Sequence, residues 1–441
     1  MSLQPAVVTD IARDAYVFAY PLVLGDLTMR KITNVTEPRQ PFGPLGVLAH
    51  ARGLPGPEFR VVIRPNVDTL YTSAYLDLGP EPTILTIPQT ERYTMVPLYD
   101  LWSNVFAVPG SRTTGTERTR HFLLAGPGWT GQVPDGVERI DVPTRFMSFI
   151  GRTQVNGVDD LPAVHLFQDG MALTPLSQWG QEPSAPVRAP LDPDLDMRTP
   201  PPDLVAAMSA QDFLTRFTEL LNDNPPSIQD YPTLHRLQRL GWSPEAGLDL
   251  AGLAPEIAAA VEDGIEQGRQ DIVAEYNRLN GEGRLGWIYT TEGGSYGVHY
   301  LLRAGVAAWG LGMNLAADAV YPSIAVDADG RLLSGENSYT LTFPAGELPP
   351  ALAFWSVTAY DDHGFLIENP LARYALGDRS GIPPRTDGSV ELIMQATDPG
   401  GEDTARWLPT GPGGFNLMLR VYSPDRALLD GSWEPPLVRR R

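Results

Sequence analysis

The run Arg64-Pro65-Asn66-Val67-Asp68-Thr69-Leu70-Tyr71-Thr72-Ser73-Ala74-Tyr75 gathers groups able to share or exchange protons, Asn66, Asp68, Thr69 and Tyr71, within a few residues. It alternates like a β-strand directly after a proline. Period two predicts Asn66, Asp68 and Leu70 on one face and Val67, Thr69 and Tyr71 on the other. A carboxylate on the inner face of a strand is costly unless it is paired or used. Asp68 therefore has two readings. Either it pins a turn beside Pro65 or pairs with Arg64 or Arg112, or it lies at the mouth of an apolar cavity, where desolvation favours its protonated form and suits it to general acid–base work. In the second reading Asn66 and Tyr71 complete the catalytic set, Tyr71 relaying a proton or holding a ligand oxygen. Tyr71 and Tyr75 also fit core aromatics with satisfied hydroxyls.

Further candidates come from elsewhere in the chain. Arg112, in the polar loop Ser111-Arg112-Thr113-Thr114-Gly115, could hold a carboxylate or oxyanion with its forked donors, or form a structural ion pair. Arg303 sits in an otherwise apolar helical pattern and needs a partner, for which Asp68 or Glu292 would serve. Tyr99, Trp102, Trp355 and Tyr360 belong to a dense set of large rings; most should be core, and those facing a cavity would stack on a planar, unsaturated or sugar ligand. His299 and His363 could act as bases, although a satisfied structural histidine is the commoner outcome.

Other patterns carry less. Gly293-Gly294-Ser295-Tyr296-Gly297 spells the hydrolase elbow, but alternating strands and helices do not surround it, so a turn before a helix is expected. Asp327-Ala328-Asp329-Gly330 begins like a calcium loop without its later ligands and reads as a tight turn. No histidine pair has metal-ligand spacing, and no phosphate loop or dinucleotide fingerprint occurs. With no cysteine at all, thiolate nucleophiles and thiolate-held metals are excluded. No cofactor and no metal are expected.

The elements that must position these residues follow from turn chemistry and periodicity. Residues 9–29 have helical spacing, disturbed at Pro21 and Gly25. Short strands are predicted at Val61–Ile63, Leu70–Leu78, Thr83–Ile87, Tyr93–Pro97, Val105–Val108, His121–Ala125 and Thr144–Ile150, separated by glycine–proline turns. A proline-rich linker covers 181–202, helices fill 203–319 (among them 255–280 and 299–319), and strands return from 320. The fold class is thus mainly β with a helical insertion: an N-terminal antiparallel β-sandwich with a leading helix over 1–180, the helical middle, and a C-terminal sandwich over 320–441.

A net charge of −20 argues against binding nucleic acid or an anionic membrane through bulk electrostatics, and Arg439-Arg440-Arg441 reads as a solvated basic tail. No apolar run is long enough to span a bilayer and no signal segment is visible, so a soluble, cytoplasmic protein is expected.

Taken together, Arg64–Tyr75, Leu76-Asp77-Leu78, Glu91-Arg92-Tyr93, Gly110–Gly115, Gly126-Pro127-Gly128-Trp129, Ala353–Thr358, Asp387-Gly388-Ser389, Trp407-Leu408-Pro409 and Leu419–Pro424 resemble a two-part bacterial family, DUF1254 followed by DUF1214. The resemblance covers most of 10–180 and 320–440. It implies an N-terminal sandwich, a helical insertion and a jelly-roll-like C-terminal sandwich, with no settled activity. Val67 stands where a polar residue is common in the family, and Arg406 where asparagine is usual, so Arg406 is kept out of the site.

The leading expectation is a cofactor-independent enzyme acting on a small, mainly apolar molecule by proton transfer (isomerase or cyclase, lyase, or hydrolase). Asp68 would be acid or base, positioned by Asn66, Tyr71 and Arg112 or Arg303. The alternative is a non-catalytic module binding a small molecule or carbohydrate, or an assembly module, with the C-terminal sandwich able to form a homodimer interface.

Overall fold

The structure, a computed structural model, describes residues 3–182, 190–281 and 286–441. Part of the proline-rich linker, Pro183 and Pro186 included, lies outside the described residues.

Alternating runs pair into four open sheets arranged as two sandwiches. In the first, a six-stranded sheet runs Ala49–His50, Thr69–Asp77, Phe146–Gln154, Leu98–Asp100, Val105–Ala107, with Thr94–Met95 also on Phe146–Gln154. It faces a four-stranded sheet of Ala172–Pro175, Thr83–Ile87, Arg120–Ala125 and Glu138–Asp141. Between them Ala74, Leu76, Leu85, Phe122 and Phe149 are buried; each large apolar side chain so removed from water contributes about 1.5–3 kcal/mol. The second sandwich sets Ala319–Val320, Phe415–Pro424, Ala351–Asp361 and Ala375–Gly377, with Ser323–Ile324, against Trp407–Pro409, Val390–Gln395, Tyr339–Phe343 and Arg439–Arg440. Its core holds Leu341, Trp355, Val357, Leu392 and Leu417. The basic chain end is therefore an exposed edge strand rather than a solvated tail.

Helices α1 (Pro5–Thr33), α2 (Leu161–Asp169), α3 (Pro201–Ala207), α4 (Ala210–Leu221), α5 (Tyr231–Gln238), α6 (Pro255–Leu279), α7 (Tyr300–Trp309) and α8 (Arg426–Leu429) complete the regular elements. Proline at the first turn opens α1, α3 and α6, where its missing N–H costs nothing. Ser209 caps α4 by accepting from the Asp212 N–H. The leading helix α1 shares its core with α4–α7 and Trp102 rather than with the strands. Gly264 and Gly268 on α6 make this possible: a Cβ at Gly264 would collide with the Thr9 carbonyl, and one at Gly268 would stand 3.1 Å from that of Arg13. Pro21 lies inside α1 without ending it.

Three local expectations are corrected. Val61–Ile63 forms exposed bends, not a strand. The third helix stops at Trp309, where Gly310 leaves helical geometry, instead of running to 319. The strand after Pro65 begins only at Thr69, so Asn66 and Asp68 belong to the turn before it. Among the described residues no helix is long and apolar enough to cross a membrane.

Candidate functional site

The turn that carries Asn66 and Asp68 is built by its own side chains. Arg64 adopts φ +53°, a left-handed conformation that bulky residues rarely take, with its N–H on the Gly364 carbonyl at 2.7 Å. The Asn66 Oδ1 accepts from the Asp68 N–H at 2.8 Å, closing an Asx turn. Its Nδ2 faces the Thr69 Oγ1 (2.9 Å), the Tyr71 hydroxyl (3.4 Å) and the Tyr422 hydroxyl (2.6 Å). One amide thus organises oxygens from both sandwiches.

Asp68 is 5 % exposed and both its carboxylate oxygens are taken: Arg379 Nη2 donates to Oδ1 and Ser356 Oγ to Oδ2, each at 2.5 Å. Arg379 also donates to the Val155 carbonyl and Asn156 Oδ1, and lies 4.0 Å over the Phe354 ring. The partner is neither Arg64, Arg112 nor Arg303. Asp68, Ser356 and Arg379 line a cleft of ≈ 610 Å³ between the sandwiches, with Glu58, Arg373 and Tyr374 on its walls. Asp68 is a clamped ion-pair member at the floor of an open cleft, not an isolated acid in a ring-lined hollow.

Tyr71 faces the other way. On the outer face of the six-stranded sheet it stands opposite Arg152, with Ser73 opposite Ile150 and Tyr75 opposite Ser148. The Arg152 guanidinium lies 5.2 Å from the Tyr71 ring centroid. Arg152 is 9 % exposed; Nη1 donates to the Asn314 Oδ1, and Nε is buried without a partner. The Asn314 Nδ2 donates to the Tyr321 hydroxyl at 2.7 Å, and Tyr99 donates to the Gly312 carbonyl at 2.8 Å and to Asn314 Oδ1 at 3.1 Å.

A second buried guanidinium, Arg420, enters from the C-terminal sandwich. It donates to the Thr358 Oγ1, the Arg64 carbonyl and the Tyr360 hydroxyl, while Tyr360 donates to the Pro65 carbonyl at 2.7 Å. Burial alone would raise the Tyr71 hydroxyl. The charge and donor contact of Arg152, with Arg420 and Asn66 adding, outweigh it and hold Tyr71 below the ordinary phenol range. Burial dominates at Tyr321 and Tyr422, which are held above that range and stay protonated. The same environment thus pushes neighbouring phenols in opposite directions, a pattern characteristic of acid–base sites.

A narrow channel reaches this cluster between the end of α6, α7 and the strands at 319–324. Its water-accessible volume is ≈ 40 Å³. Leu279, Ile288, Val306, Trp309 and Met313 wall it, and Asn314, Tyr321 and Arg64 stand at its polar end. Behind the cluster a pocket of ≈ 30 Å³ is lined by Tyr75, Tyr99, Asp100 and Ser103.

Of the residues singled out from sequence, Asn66, Asp68, Tyr71, Tyr99 and Tyr360 meet in or beside this network, and the rest do not. Trp102 packs in the helical core, 4.9 Å from the Phe18 ring, and Trp355 packs in the second sandwich, 5.1 Å from Phe343. Arg303 is sheathed by Phe18, Trp102 and Tyr300, its hydrogen bond going to the Phe18 carbonyl at 3.4 Å and not to Asp68 or Glu292. His299 and His363 are exposed. Arg112 grips Asp318 through two bonds, 2.7 and 3.0 Å, and so fixes the segment carrying Asn314 and Tyr321. Ser295 is exposed in a turn, and Asp327 closes an Asx turn onto the Asp329 and Arg331 N–H groups. Among the described residues no cluster of three or more His, Asp or Glu is placed to hold a metal.

Sequence reasoning missed Arg152, Arg420, Tyr321, Tyr422, Asn314 and Arg379. A signal existed for two of them: in Leu419-Arg420-Val421-Tyr422 polar residues alternate with apolar ones along a strand buried throughout.

Residues 45–175 match the family described as "Protein of unknown function (DUF1254)" and residues 318–426 the one described as "Protein of unknown function (DUF1214)", together more than half of the chain. Among solved structures, the VPA0106 protein of Vibrio parahaemolyticus is similar at 25% identity, covering 98% of this chain and 100% of that one with a TM-score of 0.75. An uncharacterized protein from Burkholderia cenocepacia is similar at 12% identity, over 95% of this chain and 87% of that one, with a TM-score of 0.45, too distant to carry an argument. No curated protein matches the chain.

Proposed function

We propose, for a chain that belongs to the two-part family in which a DUF1254 domain precedes a DUF1214 domain, an acid–base enzyme of isomerase or cyclase, lyase, or hydrolase type acting on a small, mainly apolar molecule. The observation that carries the reading is Tyr71: a phenol lowered by two buried guanidiniums, in the cluster whose members Asn314 and Tyr321 stand at the polar end of an apolar channel. A general acid–base group works best when its proton affinity lies near the working pH, and such assistance contributes roughly 10²–10⁴ in rate. In this reading Tyr71 takes or returns the substrate proton and Asn66 fixes its oxygen. Arg152 and the Tyr321 hydroxyl hold the substrate oxygen on which charge develops. The apolar walls exclude water and hold the substrate in a reactive shape. Asp68 serves this site from behind, clamping the turn through Arg379 and Ser356 rather than touching substrate. A cytoplasmic setting belongs to the same proposal.

The test uses the full chain in deuterium oxide with a small-molecule extract, followed by mass spectrometry. Isotopic labelling or consumption of particular masses is expected with the wild type and should fall at least about a hundredfold in Tyr71→Phe. No change with the wild type, or equal change with Tyr71→Phe, refutes the proposal.

A further inference from the structure

The cluster around Tyr71 is rich in donors and poor in acceptors. The hydroxyls of Tyr71 and Tyr422 each accept from the Asn66 amide, and that of Tyr321 accepts from the Asn314 amide. Among the described residues none of these three hydroxyls has an acceptor for its own hydrogen, and Arg152 Nε is buried without one. The Asn66 amide reaches both the Tyr71 and Tyr422 hydroxyls, Arg152 lies 5.2 Å from the Tyr71 ring centroid, and the Tyr321 and Tyr422 rings are 6.2 Å apart, so these side chains share one region.

The charge balance leans the same way. Elsewhere buried carboxylates meet guanidiniums, as Asp26 does with Arg216 and Asp318 with Arg112. Neither Arg152 nor Arg420 is hydrogen-bonded to a carboxylate among the described residues. The nearby acids are committed, Asp68 to Arg379 and Asp318 to Arg112. Taking an uncompensated charge out of water costs several kcal/mol, and a bound anion would offset it. Arg303 also lacks a carboxylate bond, but three rings sheathe it.

We infer that the ligand of this site is a slender monocarboxylate, its carboxylate seated among Arg152, Tyr71, Tyr321 and Tyr422 and its apolar tail lying in the channel past Met313 and Trp309. The inference rests on the proposed use of this chamber and adds the chemical class of what fills it. The narrowness of the channel favours an unbranched or flat tail. A carboxylate supplies acceptor lone pairs to the uncommitted donors and a charge to Arg152, through bonds about twice as strong as neutral ones. A seated anion also raises the proton affinity of Tyr71, so binding draws a proton onto that hydroxyl.

The full chain is titrated calorimetrically with hexanoate and with hexanamide. Hexanoate should bind at least about tenfold more tightly, the weight of one charge-assisted bond, and the preference should vanish in Arg152→Met and shrink in Tyr321→Phe. Asn314→Asp, which gives Arg152 a carboxylate of its own, should lose hexanoate binding while remaining folded. Equal affinity for the two probes, no measurable hexanoate binding, or an undiminished preference in Arg152→Met or Asn314→Asp overturns the inference. Tyr71→Phe, which removes one of the seating hydroxyls, should shrink the preference without abolishing it. Hexanoate preference without Tyr71-dependent labelling sinks only the acid–base reading, and labelling confined to neutral compounds without that preference sinks only this one.

Discussion

Asn66 donates its side-chain amide to the Tyr422 hydroxyl at 2.6 Å, joining the turn before Thr69–Asp77 of the first sandwich to the strand Phe415–Pro424 of the second. The contact fixes how the outer faces of two sheets meet, and that meeting encloses Tyr71, Arg152 and Arg420. Loss of this amide should therefore be felt at both sandwiches. Asn66→Ala leaves buried hydroxyls without their donor, and a cost of about 1–3 kcal/mol is expected, read as a lower urea midpoint.

Tyr71 carries a pH signature. Its folded-state hydroxyl lies below its unfolded value near 10, so it stabilises the fold above that unfolded value and the contribution is lost as pH falls through the folded one. The stability of the wild type relative to Tyr71→Phe should rise with pH across that window, alongside a tyrosinate absorbance at 295 nm that only the wild type gains early. A flat difference would remove the guanidinium effect on this phenol.

The Asp68–Arg379 pair should behave as a clamp. Removing one partner strands the other, so Asp68→Asn and Arg379→Met should each cost about 3 kcal/mol, with the double variant losing clearly less than their sum. Chemical denaturation of the four proteins measures the coupling. Strict additivity would contradict the bonded geometry.

Asp100 gives the opposite sign. Burial pushes its carboxyl up to about 6, against the bonds from Asn104 and the charge of Arg303. The unfolded group titrates near 3.9. The folded state therefore binds the extra proton, and stability falls as pH rises between about 4 and 6. Asp100→Asn should gain on the wild type by about 2–3 kcal/mol across that interval and be level with itself on either side of it.

Arg303 should prove dispensable for folding. A guanidinium with one long hydrogen bond, flanked by rings, gives back little for its desolvation. Arg303→Met should be neutral or stabilising, and a drop of more than about 2 kcal/mol in unfolding free energy would show that its charge is paired after all.

The sequence by itself determined the secondary structure of most strands, the helical middle and the crowding of polar groups in residues 64–75. Tyr339–Phe343 announces itself by period two, α6 by apolar residues at helical spacing after Pro255. Asn66, Asp68 and Tyr71 stand out because polar groups crowd a short segment beside a proline. The tertiary structure alone decided that Asp68 and Tyr71 point into different spaces, since a turn rather than a strand carries Asp68. It also decided that Arg152, Tyr321, Arg420 and Tyr422 join Tyr71. Along a single strand a polar residue at every second position looks the same whether that face meets water or another sheet. Only the packing of two such faces against each other, far apart in the chain, turns ordinary outward-facing residues into a buried cluster.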